Sequence, residues 1–111
     1  MPPLVAWLAS PQANDRRILL RAPQALTISR VDAVLTGGTS PSVSFSLRHG
    51  ADVSAAGTAV TSTPMTVSST TTGATNTNLL NPQLVGDHWF WLEITAVSGS
   101  PVDLSVVVAF S

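Results

Sequence analysis

The chain has 111 residues, a formal net charge of −1, only 10% charged residues and no cysteine. A domain of this length buries about two-thirds of the surface its unfolded chain exposes, so it can fold without staples, and the lack of cysteine removes disulfides, thiolate metal sites and cysteine nucleophiles together. Near-neutral charge offers no field for a polyanion, so nucleic-acid binding is not expected, and no apolar run reaches the ~20 residues of a membrane-spanning helix, so neither is membrane insertion.

Serine and threonine make up about a quarter of the chain, whereas lysine and tyrosine are absent. So little charge leaves the outside to be covered by neutral hydroxyls or by a partner. The opening MPPLVAWLAS lacks a basic segment and its apolar run is short, which argues against a signal peptide.

Residues 1–23 hold four of the eight prolines, Pro2, Pro3, Pro11 and Pro23. Proline removes ladder donors and favours extended chain, so an N-terminal arm over 1–23 is expected, followed by a domain over 24–111. The arm carries Leu4, Val5, Trp7 and Leu8, which should pack on their own domain or on a neighbour. Four of the five arginines, Arg16, Arg17, Arg21 and Arg30, crowd into one stretch. They suit either a charge-protected strand edge or a patch for an acidic protein partner.

Beyond the arm, the recurring signal is period two, that of a strand with one buried face. Leu26 and Ile28 begin one register and Val31, Ala33 and Leu35 continue on the opposite parity. An extra residue near Ser29 and Arg30, a β-bulge or sharp bend, reconciles them. Val43, Phe45 and Leu47 alternate with Ser42, Ser44, Ser46 and Arg48. The hydroxyl-rich run from Ser68 to Asn78 is expected as a long loop or a polar edge strand. Phe90, Leu92, Ile94 and Ala96 form another row, and Leu104, Val106, Val108 and Phe110 the last. Both of these rows are even-numbered, which suggests a hairpin with an odd-length loop over Ser98–Ser100 and places Ser105 opposite Glu93. With frequent turn signals and no helical stripe, the expected fold is an all-β antiparallel β-sandwich or jelly roll with an extended N-terminal arm.

Chemistry-bearing residues are sparse. His49 lies near Asp52, and Asp87 precedes His88, but a metal site needs three or four converging ligands. No serine sits in a Gly-x-Ser-x-Gly elbow. Glu93 is the only glutamate, so paired-carboxylate chemistry has no evident second member. No catalytic residue, cofactor site or metal site is expected, and the chain does not read as an enzyme. Trp89 and Trp91, by contrast, have the parity opposite to Phe90 and Leu92, so one strand bears large apolar groups on both faces. A loop or the arm with Trp7 can cover them, a subunit or capsid interface can, or they can stack on carbohydrate.

The stretch from Ser46 to Phe110, with its RHGADVSAAGT turn region and its WLEITAVSG strand and turn, resembles small β-sandwich virion proteins of tailed phages. The resemblance implies a capsid decoration (cement) protein on the outer capsid surface of the virion. It would bind the major capsid protein, stabilise contacts between capsomers and self-associate, with a trimer favoured. For such a role the apolar arm and the tryptophan-bearing strand offer the docking element, so the expected interface comprises Leu4, Trp7, Leu8, Arg16, Arg17, Trp89 and Trp91, and deleting residues 1–15 should abolish capsid binding while leaving the β fold intact. The alternative is a tail- or fibre-associated β-sandwich module that recognises host-surface glycans.

Overall fold

A computed structural model describes residues 2–111. The described chain forms ten strands: β1 (Leu4–Ala9), β2 (Arg16–Arg21), β3 (Leu26–Thr36), β4 (Ser42–Gly50), β5 (Thr58–Ala59), β6 (Met65–Val67), β7 (Ala74–Asn76), β8 (Gln83–Leu84), β9 (Trp89–Ser98) and β10 (Asp103–Phe110). They make two antiparallel sheets. Sheet I runs β1-β10-β3, with β7 and β8 on the far side of β3, and sheet II runs β2-β9-β4, with β5 and β6 on the far side of β4. The chain passes between the sheets at β1–β2, β2–β3, β3–β4, β6–β7, β8–β9 and β9–β10, so paired strands wind together as a jelly roll.

The period-two rows make the core. Val43, Phe45 and Leu47 of β4 and Phe90, Leu92 and Ile94 of β9 face Val31, Ala33 and Leu35 of β3 and Leu104, Val106 and Val108 of β10, all buried. Each large apolar side chain so buried contributes about 1.5–3 kcal/mol. The expected register break is present. Ala109 pairs with Arg30 and Phe110 with Ile28, leaving Ser29 unopposed, so Ile28 and Val31 both face inward. A second bulge lies outside that reading of the pattern. Phe45 pairs with Ile94 but Ser44 with Ala96, so Thr95 is the extra residue; Ala96 turns outward and Val97 packs on the core in its place.

Among the described residues, the segment expected as an arm over 1–23 does not stand apart from the domain. Instead β1 pairs with β10 and β2 with β9, giving each sheet one edge strand. All four prolines lie outside these ladders, so β1 and β2 keep every backbone donor. Ala6 and Leu8 are buried and Leu4 packs against the core, so removing this segment would open the sandwich.

The expected hairpin at Ser98–Ser100 is instead a crossover, since β9 belongs to sheet II and β10 to sheet I. Inward rows of equal parity arise from two facing strands as readily as from two neighbours, which is why parity alone misleads here. The crossover stacks on its counterpart between β3 and β4: Thr39 N–H donates to the Gly99 carbonyl at 2.9 Å. Gly99, at φ +75°, comes so close to that segment that a Cβ would lie 2.5 Å from the Thr39 oxygen and 2.6 Å from Pro41 Cα. The hydroxyl-rich run divides between both expected forms. Ser69 Oγ accepts the N–H groups of Thr71, Thr72 and Gly73 at 3.3, 3.1 and 2.9 Å, and the run then becomes the short edge strand β7.

Candidate functional site

The two outer faces of the sandwich differ. On sheet II, Trp91 points away from the core yet is fully buried. Residues 51–57, between β4 and β5, fold back over it. Gly57 has φ +69°, and a Cβ there would sit 2.6 Å from Trp91 Cη2 and 2.8 Å from Cζ2, so only glycine lets this backbone lie on the indole.

Charged side chains hold the cover down. In register, Glu93 lies between Arg16 of β2 and Ser46 of β4, not opposite Ser105. Its Oε1 accepts the indole N–H of Trp91 at 2.9 Å and lies 3.8 Å from Arg16 Nε, while Oε2 lies 3.4 Å from Arg48 Nε. The Arg16 guanidinium stacks 4.9 Å from the Trp91 ring centroid and donates to the Val53 carbonyl. Arg48 Nη1 donates to the Ala56 carbonyl at 3.2 Å; its buried Nε faces Glu93 as a charge without an aligned hydrogen bond. Within the loop, Asp52 Oδ1 accepts from Ser54 Oγ at 2.7 Å and from Ser54 N–H at 2.8 Å. These bonds, the hydroxyl's first, hold the Asp52 carboxyl below its ordinary value.

Trp91 is therefore neither an interface residue nor a sugar platform. Trp89 is half-buried, with the Arg21 guanidinium 5.3 Å from its ring centroid and Arg21 Nε donating to the Asp87 carbonyl at 3.0 Å. Arg16 is committed to the loop. Arg17 points across the side of the sandwich and donates from Nη1 to the Trp7 carbonyl at 3.1 Å, capping one backbone group on the free edge of β1. Leu8 of the expected interface is core, and Leu4 is packed against it.

The histidines are structural in geometry. His49 is buried, its Nε2 lies 3.0 Å from the Asn81 carbonyl oxygen, and Asn81 Nδ2 donates to the Ala59 carbonyl at 2.9 Å. The His88 backbone carbonyl accepts from Ala22 N–H at 2.8 Å, in the turn before β9. Among the described residues no three His, Asp or Glu side chains gather as a metal site would need.

Sheet I presents the opposite surface. Its register sets Val5, Val107, Asp32 and Thr75 in one outward row and Trp7, Ser105 and Val34 in the next. Val5 is 66% and Trp7 56% exposed, far more than any core side chain. The face's Arg30 and Asp32 neutralise each other at 2.8 Å, and Thr75 Oγ1 donates to Asp32 at 2.7 Å. Asp32 also lines a shallow hollow of about 170 Å³, together with Val34, Val107, Ser105, Thr72, Gly73 and Thr75. Val34 and Val107 escaped the sequence-based site, although each is an apolar residue at the outward parity of its strand, the same signal that singled out Trp89 and Trp91.

No protein-family model matches the chain, and no curated protein or solved structure is similar enough to it to count as a match.

Proposed function

We propose that the chain is a structural assembly subunit, a decoration (cement) protein that docks on the outer surface of a tailed-phage capsid and associates with further copies of itself. The observation that carries this reading is the outer face of sheet I. Val5 and Trp7 stand in water on a face of the sandwich where the Arg30–Asp32 pair is neutralised internally and Asp103 lies at one end, next to outward-facing Val34 and Val107. On the other sheet a tryptophan at the outward parity is sealed by the chain's own loop, so the molecule has the means to cover such a residue and leaves Trp7 open. Weak contacts of this kind suffice in a shell, because many copies held together raise the effective concentration at each one. The resemblance of Ser46–Phe110 to virion proteins supplies the capsid as partner.

The test is to count the protein on purified particles of the phage that encodes it and to measure its binding to expanded and unexpanded shells. Hundreds of copies and preference for the expanded shell support the proposal. A handful of copies at the tail, or equal binding to both shells, overturns it.

A further inference from the structure

We infer that the outer face of sheet I is a two-fold contact between copies of this chain, in which Trp7 of each copy seats in the Val34–Val107 hollow of the other. This rests on reading that face as an assembly surface, and is independent of whether the assembly sits on a capsid. Trp7 and Val34 lie in one row across the sheet, with Ser105 between them on β10. A two-fold axis running along β10 above the face keeps every residue in its own row and exchanges β1 with β3. It therefore brings Trp7 over Val34 of the second copy and Trp7 of that copy over Val34 of the first, from one operation. The resulting aligned sheet-on-sheet contact is an ordinary way for β-sheets to pack.

The knob and the hollow match in kind. An apolar cavity of roughly 150 Å³ takes a benzene ring, and this open hollow is about 170 Å³, lined by Val34 and Val107 with a polar rim of Thr72, Thr75, Ser105 and the Asp32 carboxylate. That rim gives the indole N–H an acceptor. Charge permits the pairing, since Arg30 and Asp32 cancel within each copy. Asp103, two residues before Ser105 on β10, is the one carboxylate brought near its own copy across the axis. It stands at the end of the face, where sheet twist separates the two layers. The alternative route, strand addition at the edge of β1, is obstructed by Arg17 on the Trp7 carbonyl.

Magnitude fixes the expected strength. Four strands spaced ~4.8 Å and six residues long at ~3.3 Å each span roughly 400 Å² in projection, below the ~800 Å² per partner of a standard stable complex. The contact is therefore a weak dimer, in place of the trimer expected from the resemblance, and is anchored by the two indoles.

The experiment is sedimentation equilibrium of the purified chain from about 10 µM to 1 mM, concentrations chosen to bracket weak association. A monomer–dimer equilibrium is expected for the native chain. Trp7→Asp alone and Val34→Arg alone should each be monomeric throughout, with the β circular dichroism retained. Mixing the two variants should restore dimers, because the introduced carboxylate then meets the introduced guanidinium at one site while native Trp7 meets native Val34 at the other. Asp103→Asn should tighten the native dimer severalfold. A native chain monomeric at 1 mM, a dimer that survives Trp7→Asp, or a mixture of folded variants that stays monomeric overturns the inference. Particle binding of the same variants is scored separately: a dimer without capsid affinity sinks the decoration reading alone, and capsid affinity without a dimer sinks this one alone.

Discussion

Trp91 and Trp7 both stand on outward-facing positions of β-strands, and the chain treats them in opposite ways. Trp91 is in the middle of sheet II and is sealed by residues 51–57, by the Arg16 and Arg48 guanidinium groups, and by a hydrogen bond to Glu93. Trp7 is on an edge strand of sheet I and 56% exposed, and the side-chain hydrogen bond it receives, from Arg17, goes to its carbonyl rather than to its ring. The contrast separates two uses of an aromatic side chain. One extends the core to a second layer outside the sheet, the other leaves apolar area for another molecule to bury. Perturbing each tryptophan and its surroundings should therefore give stability losses on one face and association losses on the other.

The largest stability effect is expected at Trp91. Trp91→Ala removes a fully buried indole and the lid's apolar floor, for a cost of about 3–5 kcal/mol, visible as a lower denaturation midpoint in urea. If Trp91 were an interface residue, the isolated chain would lose little. Gly57→Ala comes next. The new methyl group would meet the indole at 2.6 Å and the His49 carbonyl oxygen at 2.9 Å while occupying a left-handed backbone conformation. Overpacking and strain together should cost about 1–3 kcal/mol. In the double variant the methyl enters the space the indole has left, so the combined loss should be clearly smaller than the sum of the two single losses; full additivity would mean that the lid does not rest on Trp91.

How far this contrast was visible beforehand depends on the range of the interactions involved. The rows Val43–Leu47, Phe90–Ile94 and Leu104–Val108 and the bulge at Ser29 follow from side chains alternating along one strand, and a local pattern records that directly. Which sheet a strand joins is not a local property. The even-numbered rows of β9 and β10 fit a hairpin and a crossover equally, and the choice is made by the stacking of Gly99 on Thr39–Pro41, about sixty residues away in sequence. The opening strands were obscured for a different reason. Pro2, Pro3, Pro11 and Pro23 give the whole segment the composition of an arm, although each lies just outside a ladder. The lid over Trp91 depends on arginines from two strands and a glycine from a third segment, so Trp91 and Trp89 look alike until the fold brings those pieces together. Outward-facing Val34 and Val107 were legible in principle, but no aromatic drew attention to them.

Smaller effects should dissect the clamp on the lid. Glu93→Gln keeps an acceptor for the indole N–H and removes the charge between Arg16 and Arg48. Because these ion pairs are about one-third exposed, the expected loss is ~1 kcal/mol or less, and it should shrink further in high salt. A loss unaffected by salt would mean that Glu93 acts through packing rather than charge. Acid should loosen the lid slightly. The Asp52 carboxyl is depressed in the folded chain, so its contribution is complete above the ordinary carboxylate range and is lost as pH falls through the folded value. Faster amide exchange at Ser54 near pH 2 than the intrinsic acid dependence predicts, absent in Asp52→Asn, is the expected signature.

Trp7 should give the smallest change in stability. The residue is 56% exposed, and the atom that binds Arg17 is the backbone carbonyl, which any residue supplies. Trp7→Ser therefore keeps the edge cap and gives up little buried area, so urea midpoints should move by no more than ~0.5 kcal/mol equivalent. Self-association should weaken at least tenfold in the same variant, since aromatic anchors supply most of the strength of a small interface. A large loss of stability would show that the ring closes the sandwich from outside, as Trp91 does. The two faces would then be alike, and the apolar area on sheet I would have to be explained without a partner.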